Sequence, residues 1–167
     1  MCLLLFIAGH ETTVNLIGNG TLALLRHPDQ MRKLQAEPAL IGNAVEELLR
    51  YDSPVQRTDR ITTTDVELAG QQFPKGTMVI TALGAANRDP AQFADPDRLD
   101  VTRKDPRHIS FGFGIHFCLG APLARVEGQL ALGTLLRRLP RLALAESNPE
   151  WRESSVLRGL KRLNVTF

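Results

Sequence analysis

Cysteine is scarce in this sequence: among 167 residues there are two, Cys2 and Cys118, far apart and in different contexts. Two thiols do not make a disulfide framework, and such sparing use is typical of a reducing compartment. A cytoplasmic location is therefore expected, and a free, functional thiol stays open. An excess of charge of one sign is also missing. Lys and Arg number 20 against 18 acidic residues, a formal net charge of +2, which gives no electrostatic commitment to nucleic acid or to an anionic membrane surface. Long hydrophobic runs are lacking too. The apolar stretch from Cys2 to Ala8 is far too short to span a bilayer and no basic residue precedes it, so neither signal peptide nor membrane anchor is read. Without internal repeats, low-complexity tracts or linkers, residues 1–167 are expected to act as one unit.

What is present suits a folded protein: 43% of residues are hydrophobic and 23% charged, enough apolar material for one core. Residues 3–26 carry Leu3, Leu4, Phe6, Ile7, Val14, Leu16, Ile17, Leu22, Leu24 and Leu25 with few breakers, which predicts a long, largely buried helix. It opens without a capping residue, as though part of the helix and what precedes it were missing. His27-Pro28-Asp29 stops this helix, and shorter amphipathic helices are expected over 29–36 and 40–51, the second ended by Ser53-Pro54. From Val55 the pattern turns β-like, over 60–66 and again over 77–83, with a turn at Pro74-Lys75-Gly76. Residues 87–110 contain Asp-Pro at 89–90, 95–96 and 105–106 and read as one long ordered loop of the kind that usually serves a site. A helix over 119–139 and two or three short strands after Leu142 complete the expectation: mainly α with a small antiparallel β portion, an α+β class.

The stretch from Phe111 to Gly120, FGFGIHFCLG, carries the chemistry. It puts a thiol immediately before a helix, where unpaired N–H groups and a partial positive charge stabilise negative charge on sulfur. Gly112, Gly114 and Gly120 allow backbone to approach a flat ligand, and a tight turn or bulge there points amide hydrogens at the sulfur. Phe111 and Phe117 are expected to shield it. A zinc or iron–sulfur site built on Cys118 with His116 and His108 fails on ligand count and spacing. A nucleophilic cysteine needs a base that is itself oriented by a third group, and this reading is disfavoured here.

The order F-x-x-G-x-[HR]-x-C-x-G resembles the haem-binding signature of the cytochrome P-450 family. Ala8-Gly9-His10-Glu11-Thr12-Thr13 resembles that family's oxygen-activation motif, and Glu47-Leu48-Leu49-Arg50 its E-x-x-R pair, whose spacing places both side chains on one helical face. The resemblance covers nearly the whole chain and implies an incomplete P-450 fold, the C-terminal part of a single domain without its N-terminal half. It implies haem b as cofactor, with Cys118 as the metal ligand whose thiolate favours O–O cleavage. His116 and Arg60 are implied to hold propionates, Phe111, Gly112 and Gly120 to line the cofactor, and Ala8 and Gly9 to border the oxygen pocket. Thr12 and Glu11 are the implied catalytic pair, delivering protons to a buried oxygen. Arg98 is expected to join Glu47 and Arg50 in a structural triad. The implied activity is a haem-thiolate monooxygenase acting on O2 and a small hydrophobic organic substrate, with a ferredoxin or flavodoxin as electron donor. Arg103, Lys104, Arg107, Arg125, Arg137 and Arg138 are the candidate docking face for such an acidic partner. The alternative is a truncated, non-catalytic remnant, at best a haem- or partner-binding module.

Overall fold

A computed structural model describes residues 2–104 and 106–167; Met1 and Asp105, and with the latter the Asp-Pro pair at 105–106, lie outside the described residues. Helix α1 spans Cys2–Arg26. Its two halves differ. Leu16, Leu22, Ala23 and Leu24 are buried, whereas Leu3, Leu4, Leu5, Phe6 and Ile7 are 53–71% exposed, so the expectation of a largely buried helix holds only past Glu11. The helix stops where its geometry must. His27 leaves the helical region, its amide and ring Nδ1 both reach Ala23 O, and Pro28 opens α2, Pro28–Ala36, at a position where the missing N–H costs nothing.

After a short 3-10 turn at Pro38–Leu40, α3 spans Ile41–Tyr51. Ala44, Val45, Leu48 and Leu49 join Leu16, Leu24, Leu34, Leu99, Val101, Leu132 and Leu136 in one core cluster. Each fully buried aliphatic side chain there contributes roughly 1.5–3 kcal/mol. The helices cross closely at two glycines. A Cβ on Gly20 of α1 would stand 3.2 Å from Leu48 Cδ1, and one on Gly128 of α5 3.2 Å from Leu16 Cδ2 and 3.3 Å from Val45 Cγ1. Helix α5, Ala121–Arg138, packs against α1 and α3 along this seam.

The β portion differs in detail from the single sheet expected. Strands β1, Thr58–Ile61, and β4, Met78–Thr81, pair antiparallel, with Arg60 opposite Val79. Between them β2, Val66–Leu68, and β3, Gln71–Phe73, form a separate hairpin. Its turn is Ala69-Gly70, both at positive φ (50° and 79°), the two-residue geometry that matches strand twist. Pro74-Lys75-Gly76 turns the chain from β3 into β4, with Thr77 N–H donating to Pro74 O. The second β-like run ends early because Leu83–Ala86 forms a short helix, α4, and the described residues of 87–110 form no regular element. In the tail, β5, Ala143–Leu144, pairs with β6, Val165–Thr166, and isolated bridges join Val55 to Leu157 and Trp151 to Leu160. The described residues are thus helix-rich with three small antiparallel ladders. Among the described residues no helix is long and apolar enough to cross a membrane.

Candidate cofactor site

The cysteine loop is a wound turn. Gly112 donates its N–H to Ile109 O (2.8 Å), and Gly112 and Gly114 sit at φ of 73° and 68°, where a side chain would be strained. Residues Gly114–His116 make a single 3-10 turn closed by Phe117 N–H on Gly114 O. Cys118 N–H then donates back to Phe111 O at 2.9 Å, and Ala121 N–H to Cys118 O at 3.2 Å, handing the chain to α5. The turn pushes its apolar side chains outward. Phe113 is 88% exposed, Ile115 98% and Leu119 88%, beside the exposed thiol of Cys118. A Cβ at Gly120 would lie 3.8 Å from Cys118 Sγ, so glycine there keeps one flank of the sulfur open. An accessible sulfur on a turn that also exposes apolar side chains suits a large flat ligand.

The long loop that leads into this turn is held by buried charge. Arg50 has no solvent exposure, and its five N–H donors meet five acceptors: Nε on Glu47 Oε2 (2.7 Å), Nη2 on Glu47 Oε1 (2.9 Å) and Arg98 O (3.2 Å), Nη1 on Asn87 O (2.9 Å) and Pro96 O (2.8 Å). Arg98 enters this knot only through its carbonyl. Its guanidinium is 63% exposed, 3.8 Å from Asp100, which corrects the expected triad. The third member is Arg103. Its Nε lies 3.1–3.2 Å from both Glu47 oxygens, and its other nitrogens reach Ala94 O, Asp95 O and Arg98 O. The loop turns sharply at Asp95, at φ 48°, aiming the Pro96 and Arg98 carbonyls at α3 and leaving a side chain five residues later to complete the ion group.

A second, uncharged knot lies beside it. Ser53 and Ser110 both donate to Leu49 O (2.8 and 2.7 Å), which uses the one proton of each hydroxyl. The two amide hydrogens of Asn87 fill the hydroxyl oxygens, each at 2.8 Å, and Asn87 Oδ1 accepts Ile109 N–H. Nothing in the sequence patterns marked Asn87 or Ser110, or gave Ser53 more than a place at a helix end, because the bonds joining the three to one another span more than twenty residues.

The remaining predicted residues meet the chain separately. Thr12 donates its hydroxyl to Ala8 O at 2.7 Å, the bond of a helix-interior threonine, while Ala8 and Gly9 face outward. Glu11 pairs with Arg152 of the tail at 3.1 Å, a partner that no local pattern marks. Arg60 is exposed on β1 and donates to Asp59 O, and His116 is exposed on the cysteine turn. Of the six basic residues grouped as a docking face, Arg103 and Arg125 point inward. Arg125 pairs with Glu46 at 2.7 Å and stacks over Phe111 at 4.7 Å.

Comparison with known proteins decides what these motifs belong to: the model of the family described as "Cytochrome P450" matches residues 1–167. The chain belongs to the cytochrome P450 family. It is 52% identical over 166 residues to the biotin biosynthesis cytochrome P450 of Bacillus subtilis (strain 168), covering 99% of this chain and 42% of that protein. It is 56% identical over 170 residues to the vitamin D(3) 25-hydroxylase of Pseudonocardia autotrophica, covering 100% of this chain and 42% of that one. Among solved structures, P450BioI in complex with hexadec-9Z-enoic acid ligated acyl carrier protein superimposes with a TM-score of 0.97 at 52% identity, over 100% of this chain and 43% of that chain. The chain thus spans about two fifths of the length of the curated relatives it matches, and its fold is a partial P450 fold. The family's cofactor is haem b, and the open sulfur flank and exposed apolar side chains of the cysteine turn fit it.

Proposed function

We propose that this chain is the cofactor-holding C-terminal part of a haem-thiolate monooxygenase, which inserts one atom of O2 into a C–H bond of a small hydrophobic organic substrate and reduces the other to water. The observation that carries the reading is the glycine-shaped turn presenting Cys118 sulfur, open on one flank, directly ahead of α5. Cys118 is the residue that would hold the iron, with His116 and Arg60 as propionate partners and Phe111, Gly112 and Gly120 along the cofactor plane. Bound there, haem would supply dioxygen binding and O–O cleavage, favoured by the electron-donating sulfur of Cys118.

The chain's own residues supply position and protons. Thr12 Oγ1, resting on Ala8 O, is free to exchange that bond for an oxygen or water on the face bordered by Ala8 and Gly9. Glu11, whose carboxylate pairs with Arg152, is the group that would relay protons from solvent behind it. The buried ion group at Glu47, Arg50 and Arg103 holds the loop and touches neither oxygen nor substrate. A ferredoxin or flavodoxin supplies the electrons, steered by exposed basic residues such as Lys104, Arg137 and Arg138. The relatives' names point to unlike substrates, biotin biosynthesis in one and vitamin D(3) in another, so the substrate class is kept at hydrophobic organic molecules.

The test is the absorbance spectrum of the haem-reconstituted protein, reduced and exposed to carbon monoxide, beside Cys118→Ala. A strongly red-shifted Soret band that the variant lacks is the expected result. Absence of that band from the unmodified protein would instead make this chain a non-catalytic remnant.

A further inference from the structure

The two adjacent carboxylates of α3 face different ways. Glu47 closes the ion group around the start of the long loop, while Glu46, one helical step on, meets its end. Glu46 Oε1 accepts Arg125 Nε at 2.7 Å, and Oε2 accepts Arg125 Nη2 at 3.0 Å and His108 Nε2 at 3.1 Å. Ser110 N–H donates to His108 Nδ1 at 3.2 Å, so that nitrogen is the acceptor and Nε2 carries the hydrogen given to Glu46. The His108 ring is almost wholly buried, with 2% of its side chain exposed.

These contacts converge on Phe111. The Arg125 guanidinium lies 4.7 Å over its ring, the His108 ring is 5.9 Å away, and Phe117 meets it edge-on at 6.4 Å. Phe111 O in turn accepts the Cys118 N–H. One carboxylate therefore ties His108, ten positions before the sulfur, to Arg125, seven positions after it. The charge of Arg125 also lies near enough to be favoured by negative charge on Cys118.

Resting on the haem-thiolate reading above, we propose that Glu46 is a positioning residue for Cys118, fixing through Arg125 and His108 the Phe111 ring and carbonyl that set the sulfur's place toward the iron. Bidentate geometry matters here. A carboxylate holding both Nε and Nη2 fixes the guanidinium in one orientation over the Phe111 ring, which a single bond to a neutral amide does not.

The experiment uses the haem-loaded protein, with the Soret position of its reduced, carbon monoxide-bound form followed over time in mild urea, and the haem reduction potential measured alongside. Glu46→Gln and Arg125→Leu are each expected to speed loss of the thiolate-type band at least roughly tenfold, the factor that one charge-assisted hydrogen bond supports. The double variant is expected to be no worse than either single one. Glu46→Gln also leaves the Arg125 charge unneutralised near the sulfur, so its potential is expected to rise, and Arg125→Leu to lower it. Arg103→Ala, which weakens the fold without touching Phe111, controls for general instability. If the Glu46 and Arg125 variants lose the band no faster than Arg103→Ala and leave the potential unmoved, the residues are merely structural and the proposal falls. A missing thiolate band in the unmodified protein would instead overturn the haem-thiolate reading, and this proposal with it.

Discussion

Replacing Arg103 by Ala separates the two arginines that compete for the third place beside Glu47 and Arg50. Arg103 makes two contacts of 3.1–3.2 Å to a carboxylate with no solvent exposure and donates to three backbone carbonyls, with 13% of its own side chain exposed. Its removal does not leave Glu47 unpaired, because Arg50 still holds both oxygens and Asp100 N–H still donates at 3.0 Å. The full penalty of orphaning a buried charge, about 3–5 kcal/mol, therefore does not apply. What is lost is a set of charge-assisted hydrogen bonds, worth about 2–3 kcal/mol in this burial. For a protein of this length that is roughly 4–12 °C in Tm. Arg98→Ala keeps the carbonyl and removes only an exposed side chain 3.8 Å from Asp100, so about 0.5 kcal/mol or less is expected. Urea unfolding of the two variants side by side checks this. An Arg98→Ala loss equal to or greater than that of Arg103→Ala refutes the assignment.

Acid should weaken the cysteine loop before it unfolds the core. Burial pushes the Glu46 carboxyl up, but hydrogen bonds from His108 and Arg125 outweigh it and hold the pKa down at about 2, against an ordinary 4.5. A lowered folded-state pKa contributes stability that is fully present above the unfolded value and lost as pH falls from 4.5 toward 2, on the order of 1 kcal/mol once solvent screening of a partly exposed group is allowed for. Stability measured against pH should show this loss, and Glu46→Gln should flatten it. Asp52 acts with the opposite sign, since burial raises its pKa despite Arg158, so its protonation relieves a cost as the pH falls. Gly128→Ala should lower stability by about 1 kcal/mol, the crowding against Leu16 and Val45 exceeding the gain in helix propensity, whereas Gly42→Ala, with nothing nearer than Gln129 at 3.8 Å, should be neutral or stabilising. Paired thermal melts read both. Finally, hydrogen exchange should find Ile109 and Asp100 N–H, bonded to Asn87 Oδ1 and Glu47 Oε1, protected even without cofactor; rapid exchange at both would mean that the knots do not order the loop.

Local signals in the sequence located most elements, and they failed where partners are distant. The helices of 2–26, 28–36, 41–51 and 121–138 follow from apolar period and from Pro28, Pro38 and Pro122 near helix starts, with errors of one or two residues at the ends. The hairpin at Ala69-Gly70 is hidden in the sequence because the stronger turn signal, Pro74-Lys75-Gly76, lies between β3 and β4, which do not pair. The FGFGIHFCLG stretch announced a site because its glycines, aromatics and thiol are consecutive. Arg103 could not be told from Arg98 by pattern, since what selects it is the direction of the Arg98 carbonyl after a left-handed residue at Asp95. Asn87, Ser53 and Ser110 illustrate the same limit. Each is an ordinary polar residue whose role exists only once the chain has brought three segments together. The apolar first half of α1 reads as core by composition yet stands exposed, because periodicity reports that a face seeks cover and not what covers it.

The helix that organises the site is one whose apolar stripe explains only a third of it. Ala44, Val45, Leu48 and Leu49 bind α3 to the core, which fixes the helix but says nothing about the loop. Arg50 then recruits residues 96 and 98 through main-chain carbonyls, so those positions are free to vary wherever the backbone still reaches the guanidinium, while Glu47 takes the Arg103 side chain itself. Glu46 recruits the loop's far end and α5 through side chains, and there identity matters: His108, Phe111 and Arg125 each meet specific geometry. The consequence is a division of tolerance. Substitution at Pro96 or Arg98 that preserves the turn leaves the ion group intact, whereas substitution at Arg125, even by lysine, gives up both the fork and the stack that reach the residue bonded to Cys118. An eleven-residue helix thus acts as a hub because its two neighbouring carboxylates point about 100° apart, one toward the scaffold of the loop and the other toward the sulfur.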